Sequence, residues 1–161
     1  MTYRILVAKE ARTLDLILDG HVERRYAIAL GRNAAADKSV EGDHATPLGE
    51  FYICAKNPRS RYFLSLCVSY PNAEDAERGL AAGLISDEEY RQILGALHAG
   101  KMPLQHTRLG GEIYIHGHAL NEADASAPQK DWTRGCIALD NSDMRELYDR
   151  VDIGTAVRID A

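Results

Sequence analysis

Two residues in the last third of this 161-residue chain combine the types that nucleophilic catalysis needs. Cys136 follows Gly135 directly, and His116 ends the short apolar run from Ile113 to Ile115. A thiol becomes a thiolate near neutral pH only beside a base or a cation, and an imidazole is a suitable base. The pair predicts an acyl-transfer reaction with Cys136 as nucleophile and His116 as its base. A nucleophile of this kind is expected to titrate well below the free-thiol pKa of about 8.5.

The glycines beside both residues suit the backbone geometry of such a site. Gly135 permits a strained turn that points the amides of Arg134, Gly135 and Cys136 into one concavity, where they could hold an oxyanion. The carbonyl of Gly117 could hold the imidazole N–H of His116 and so fix its tautomer. Taken singly, a cysteine beside a glycine is more often a small buried residue, and a histidine at a strand end is no more telling.

The elements that must hold these residues are predicted to be mainly strands. Strand-like runs lie at about 14–18, 22–30, 50–55, 62–69, 113–115 and 156–159. Asp19-Gly20 predicts a tight hairpin turn between the first two runs. Polar loops are expected at Gly31 to His44 and at His118 to Lys130. The Cys136 segment therefore follows a polar loop that separates it from the His116 strand.

Helices are expected in two places. From Ala73 to about Gly100 the composition changes to Ala, Glu, Leu and Arg, with a capping box formed by Ser86 and Glu89. A last helix, capped by Asn141 or Ser142, runs to about residue 150. The chain is thus predicted to be a single domain over 1–161, mainly β, with a helical insertion at about 73–100. That insertion could form a lid over the site or simply pack against the sheet.

Charge and hydropathy exclude several classes of protein. The net charge is −5 and no Lys/Arg cluster is present, which argues against nucleic acid as the main partner. The apolar runs are too short for a membrane span. The chain also lacks a positively charged start followed by an apolar stretch, so no signal peptide is expected in it.

Three cysteines are too few for a disulfide scaffold, and the odd number leaves at least one thiol unpaired. Cys54 and Cys67 lie in strand-like runs and are expected to be small buried hydrophobes. A disulfide between them requires their strands to lie side by side. His116, His118 and Cys136 could imitate a zinc site, but the chain offers no obvious fourth ligand and no Cys-x-x-Cys pair. No metal is expected.

Three blocks of the sequence carry a resemblance to a known family. The first is His116-Gly117, a loop, then Thr133-Arg134-Gly135-Cys136-Ile137. The second runs from Gly42 to Ile53 around Thr46-Pro47-Leu48-Gly49, and the third covers Asn57 to Asn72. Together they resemble the L,D-transpeptidase catalytic domain family (YkuD-type) over nearly the whole chain. The third block, with Trp132 before the nucleophile segment, is similar to a branch that includes murein-processing members.

The resemblance implies a β-sandwich-like catalytic domain and a mechanism similar to that of cysteine peptidases. Cys136 would attack the amide between the third and fourth stem-peptide residues of peptidoglycan, and His116 would accept the thiol proton and later protonate the leaving amine. The Gly117 carbonyl would orient His116, and the amides of Arg134, Gly135 and Cys136 would bind the oxyanion. No metal or organic cofactor is implied.

One position departs from the family pattern. Many members have Arg or Asn two residues after the nucleophile, where this chain has Ala138. Asp140 and Asn141 follow, but both are expected to cap the next helix. The likeness is therefore to an Ala-bearing branch in which hydrolytic and protein-releasing activities occur beside cross-linking. The acceptor stays open between an amine (transpeptidase) and water (L,D-carboxypeptidase, endopeptidase, or release of a wall-linked protein). A non-catalytic peptidoglycan-binding domain is a third alternative.

Four further residues are candidates for contacts with the substrate. Trp132 and Thr133 precede the nucleophile, His118 follows the base, and Arg108 precedes two glycines. His118 either lines the cleft or is a solvated loop residue, and Arg108 contacts either substrate carboxylates or solvent alone. The implied partners are peptidoglycan stem peptides and a wall-linked protein. Since that substrate lies outside the cytoplasm, an extracytoplasmic or periplasmic location is expected.

Overall fold

A computed structural model of the chain describes residues 2–118 and 131–161. Most of the polar loop predicted from His118 to Lys130 lies outside the described residues. Within the described ranges the strands are β1 Tyr3–Ala8, β2 Thr13–Leu18, β3 His21–Ala27, β4 Gly49–Ser60, β5 Phe63–Val68, β6 Tyr114–His116, β7 Ile137–Ala138 and β8 Ala156–Asp160. The helices there are α1 Ala73–Ala81, α2 Asp87–His98 and α3 Asn141–Arg150. Over those same ranges, no helix is long and apolar enough to cross a bilayer.

The eight strands form one sheet in the order β3-β2-β1-β8-β4-β5-β6-β7. The pairs β1·β8 and β6·β7 are parallel, and the other neighbours are antiparallel. Beyond β3 the chain crosses to the opposite end of the sheet, where Ala29 bridges Ala138 and Gly31 bridges Thr133. These bridges bring the two ends of the sheet together, so the sheet is curled. The predicted mainly β architecture with a helical insertion is confirmed.

The first strands follow from alternation and turn chemistry. In β2, Leu14 and Leu16 are fully buried in the core. Asp19 and Gly20 both have positive φ, 48° and 87°, which matches the tight hairpin turn that the sequence predicts. β4 continues past its predicted end at residue 55 to Ser60, because an irregularity in its pairing with β5 accommodates the exposed Pro58.

The helical insertion lies where the sequence predicts it. Ser86 is the N-cap of α2 and forms a capping box with Glu89. α1 and α2 pack around a small apolar cluster of their own that includes Ile93 and Leu109. Arg78 of α1 also bonds to Asp37 and to the Lys38 carbonyl. These contacts hold the insertion together and join it to the loop between β3 and β4.

The start of α3 confirms Asp140 as a helix cap and corrects the other two predicted caps. Its N-cap is Asp140, whose side chain accepts a hydrogen bond from the Asp143 amide, so neither Asn141 nor Ser142 is the cap. Asp140 can fill that role because its backbone is still extended, as an N-cap requires. Asn141 is thereby free of the capping role, and it is buried.

Candidate active site

The candidate base, His116, is the last residue of β6, where it pairs with Ser65 on one side and Ala138 on the other. It is 3% exposed. Its Nδ1 lies 2.6 Å from the Gly117 carbonyl oxygen, the contact that the sequence predicts. Because a carbonyl can only accept, Nδ1 carries the proton and donates it there. Nε2 is then the unprotonated nitrogen of the neutral ring.

Aromatic rings surround this imidazole. Tyr62, in the turn between β4 and β5, stacks on it with a centroid separation of 4.6 Å, and Trp132 meets it edge-on at 5.8 Å. On the other side of Trp132, the ring of His118 stacks at 6.0 Å. His118 also donates its backbone amide to Asn141 Oδ1 at 2.7 Å. These contacts show that His118 is packed beside Trp132 and is not a solvated loop residue. They also identify Tyr62 and Asn141 as neighbours of the base that the sequence did not assign to the site.

Burial sets the protonation of the base. It lowers the pKa of His116 to about 4, although the bond to Gly117 works in the opposite direction, and His118 lowers it further. The imidazole is therefore neutral at pH 7. A neutral ring with Nδ1 protonated is the form that can accept a proton at Nε2.

Cys136 lies one residue before β7, level with Tyr114 on the paired strand β6. Its Sγ accepts the Tyr114 amide at 3.4 Å and donates to the Glu112 carbonyl at 3.3 Å. Tyr114 and His116 are two residues apart on one strand, so the thiol and the imidazole share a face of the sheet. The register gives a Cα separation of roughly 8 Å between Cys136 and His116. Among the described residues, no hydrogen bond joins Sγ to the imidazole.

The surroundings of the thiol correct another prediction. Burial raises the pKa of Cys136 to about 11, while the Tyr114 amide lowers it and the Glu112 carboxylate raises it. The sequence led us to expect a value well below 8.5, and that expectation is wrong for this arrangement. A neutral thiol near a neutral imidazole suits proton transfer during attack, not a preformed thiolate–imidazolium pair.

The turn before the nucleophile is held by Thr133. Its Oγ1 donates to the Cys136 carbonyl at 2.7 Å and accepts the Gly135 amide at 3.1 Å. The Gly135 N–H is thus already bonded, which contradicts its predicted place in the oxyanion hole. Arg134 and Cys136 remain as the candidate amides. Thr133 is buried and supports the turn, so its predicted role as a substrate contact is not supported either.

A second layer of backbone lies against this turn. Gly135 has a φ of 136°, and a Cβ placed there would lie 2.7 Å from the Ala45 carbonyl oxygen. A Cβ at Gly31 would lie 2.3 Å from the His44 oxygen. Thr46 Oγ1 accepts the Gly31 amide at 3.1 Å, which gives the Thr-Pro-x-Gly block a physical role behind the turn. The sequence does not show which distant segments lie together, so it gives no signal for this close approach.

Two charged residues position the segments behind the site. Asp131 forms a two-pronged ion pair with Arg12 and also accepts the Leu30 amide at 2.9 Å. Asp43 accepts the amides of Ser39, Val40 and Ala45 as well as the Lys38 ammonium. Burial alone would raise the pKa of Asp43, but these four donors together lower it. Both carboxylates therefore act as anchors for loops.

The remaining candidates lie outside this arrangement. Arg108 is exposed, and within 2–118 and 131–161 no side-chain hydrogen bond or ion pair links it to the site. Ala138 is fully buried and offers no polar atom to a substrate. Cys67 is buried as predicted, but Cys54 is only half-buried, so the prediction of burial is wrong for Cys54. Their strands β4 and β5 do lie side by side, and both thiols are free.

A curled sheet that brings a cysteine and a buried histidine to one face defines a Cys–His site on a mainly β fold. The sequence profile of the L,D-transpeptidase catalytic domain (YkuD) matches residues 2–159. The chain therefore belongs to the L,D-transpeptidase catalytic domain family. Comparison with curated proteins gives no significant match.

Solved structures support the same assignment of fold. The helical cell shape determining protein Pgp2 from Campylobacter jejuni is 26% identical with a TM-score of 0.66, covering 99% of this chain and 47% of that one. An L,D-transpeptidase from Mycobacterium smegmatis is 16% identical with a TM-score of 0.58, covering 99% and 58%. One from Mycobacterium tuberculosis is 15% identical with a TM-score of 0.57, covering 99% and 58%. This chain thus spans about half the length of these proteins.

Proposed function

We infer that this chain is a cysteine-dependent acyl-transfer enzyme acting on peptidoglycan stem peptides outside the cytoplasm, with Cys136 as nucleophile and His116 as base. The observation that carries the proposal is the 2.6 Å contact between His116 Nδ1 and the Gly117 carbonyl. It fixes the tautomer in which Nε2 is a proton acceptor, on the face of the sheet that carries Cys136.

The reaction starts from a neutral pair. The Cys136 thiol leaves the Glu112 carbonyl, turns toward Nε2 of His116 and gives up its proton as Sγ attacks the amide carbon. The amides of Arg134 and Cys136 stabilise the developing oxyanion. The tetrahedral intermediate then collapses to a thioester, and the imidazolium returns its proton to the leaving amine.

Deacylation decides between the two activities. An amine attacking the thioester gives a cross-linked product, whereas water gives a shortened stem peptide or releases a wall-linked protein. The buried methyl group of Ala138 provides no polar contact that would hold an acceptor amine. Product analysis with and without an added amine separates the two outcomes.

The decisive experiment is digestion of purified muropeptides followed by mass analysis. We expect Cys136→Ala to abolish turnover with little loss of stability, and His116→Ala to slow acylation by about 100-fold or more. Cys54→Ala is the matched control, since that thiol lies outside the proposed machinery, and under reducing conditions it should keep the parent rate. Turnover by Cys136→Ala at the parent rate would refute the proposal.

A non-catalytic binding domain is distinguished by covalent chemistry. A carbapenem, which has an acyl group that a nucleophilic thiol can capture, should add its mass to the intact protein, and peptide mapping should place the adduct on Cys136. A binder would bind muropeptides and acquire no adduct. An adduct mapped to Cys54 would contradict the assignment of the nucleophile.

A further inference from the structure

We propose that Cys54 and Cys67 form a dithiol site that closes reversibly to a disulfide by exchange with a small-molecule disulfide such as oxidised glutathione, while Cys136 stays outside the exchange. The proposal concerns a site apart from the proposed reaction. It rests on strand register, thiol contacts and the different burial of the two sulfurs.

The register brings the two cysteines face to face. β4 and β5 pair antiparallel with Ile53 opposite Val68 and Ala55 opposite Cys67, so Cys54 is the extra residue of a bulge that faces Cys67. The Cys54 Sγ lies 3.5 Å from the Cys67 carbonyl oxygen, and the Cys67 Sγ lies 3.7 Å from the Val68 carbonyl oxygen. Residues facing each other across antiparallel strands have Cα atoms about 4.5–5.5 Å apart, inside the range that a disulfide spans.

The two thiols differ in reactivity. Cys54 is half-buried, whereas Cys67 is 1% exposed. The neighbouring Cys67 thiol lowers the pKa of Cys54, whereas the Cys54 thiol together with burial raises the pKa of Cys67. The accessible sulfur is thus also the better thiolate, which makes Cys54 the attacking residue and Cys67 the one that resolves the intermediate.

The exchange balances with one disulfide as oxidant. The Cys54 thiolate attacks a sulfur of oxidised glutathione, the glutathione S–S bond breaks, and one glutathione leaves as a thiolate that takes up a proton. The Cys67 thiol then loses its proton and its sulfur attacks the Cys54 sulfur, which expels the second glutathione. Two protein thiols lose two electrons in total, and one glutathione disulfide is reduced to two thiols.

Strand order keeps the nucleophile out of this exchange. Cys67 pairs with Tyr114 of β6, and Cys136 lies on the far side of Tyr114. Two steps between neighbouring strands amount to roughly 9.5 Å, beyond the limit of about 7 Å between Cα atoms that a disulfide can bridge. Cys67 therefore cannot resolve an oxidised Cys136 unless a strand moves, and the site oxidises as a pair.

The test is treatment of the full chain with oxidised glutathione, followed by intact-mass measurement and non-reducing peptide mapping. The wild-type protein and Cys136→Ser should both lose about 2 Da and contain a Cys54–Cys67 link. Cys67→Ala should instead retain one glutathione, about 305 Da, on Cys54, and Cys54→Ala should leave Cys67 unmodified. A link to Cys136, or a glutathione that persists on Cys54 of the wild type, would overturn the proposal.

The melting temperature gives a test of the Cys54–Cys67 disulfide that is independent of the mass measurements. Closing the short loop between β4 and β5 should raise the melting temperature of the oxidised wild type by about 6–12 °C, and a reductant should reverse the rise. An oxidised sample that carries the mapped link but melts lower than the reduced protein would show a strained, non-native bridge and refute the site. Because Cys136→Ser is inactive under the proposed function yet should still exchange, failure of one proposal leaves the other intact.

Discussion

The neutral state of the Cys136 thiol gives a quantitative prediction about its reactivity. The pKa of about 11 leaves roughly one thiol in ten thousand ionised at pH 7, against about 3% for a free thiol with a pKa of 8.5. The thiolate of a more basic thiol is intrinsically more nucleophilic, which recovers a factor of about 10 over this difference. Alkylation of Cys136 by iodoacetamide should therefore be about 30-fold slower than that of a free cysteine at pH 7.

The assay measures alkylation rates by mass spectrometry over a series of pH values. It uses a Cys54→Ala/Cys67→Ala variant, in which Cys136 is the only cysteine that can be alkylated. The rate should rise about tenfold per pH unit above neutrality and level off only near pH 11. His116→Ala should leave this profile nearly unchanged, because no imidazolium stabilises a thiolate in the resting site. A plateau below pH 8.5 that shifts upward in His116→Ala would show a preformed ion pair and refute the reasoning.

Three further predictions concern the base and the turn. Because the folded pKa of His116 is about 4 and the unfolded value about 6.5, the contribution of this residue to stability should fall by about 3 kcal/mol as the pH drops from 6.5 to 4. Chemical unfolding should therefore show the wild type losing about that much stability relative to His116→Asn over this range. Tyr62→Leu should lower kcat by about tenfold because the imidazole loses the ring that positions it. Tyr62→Phe keeps the aromatic ring and should keep the parent rate. Equal losses of kcat in both variants would exclude stacking as the cause. Gly135→Ala should cost at least about 2 kcal/mol of stability, because φ is 136° there and the new Cβ would meet a backbone oxygen. Gly95→Ala is the control, since a Cβ in α2 at that position has open space, and thermal melts should show no loss of stability.

Local signals in the sequence were sufficient to predict much of the fold and to identify Cys136 and His116 as the candidate nucleophile and base. The hairpin at Asp19-Gly20 and the capping box of α2 depend on residues within a few positions of each other, so their chemistry can be read directly. The contact of His116 with the Gly117 carbonyl is also local, since the two residues are neighbours. The family assignment depends on such short blocks and extends over residues 2–159.

The neighbours of the nucleophile were decided by tertiary structure alone. The Cys136 thiol bonds to Glu112 and Tyr114, more than twenty residues earlier, only because β6 and β7 pair in one particular register. Three other contacts likewise join distant segments: the stacking of Tyr62 on the imidazole, the bond that the His118 amide donates to Asn141, and the close approach of the Ala45 backbone to Gly135. Desolvation also raises the pKa of the thiol, and it depends on everything packed around the sulfur, which no short stretch of sequence contains.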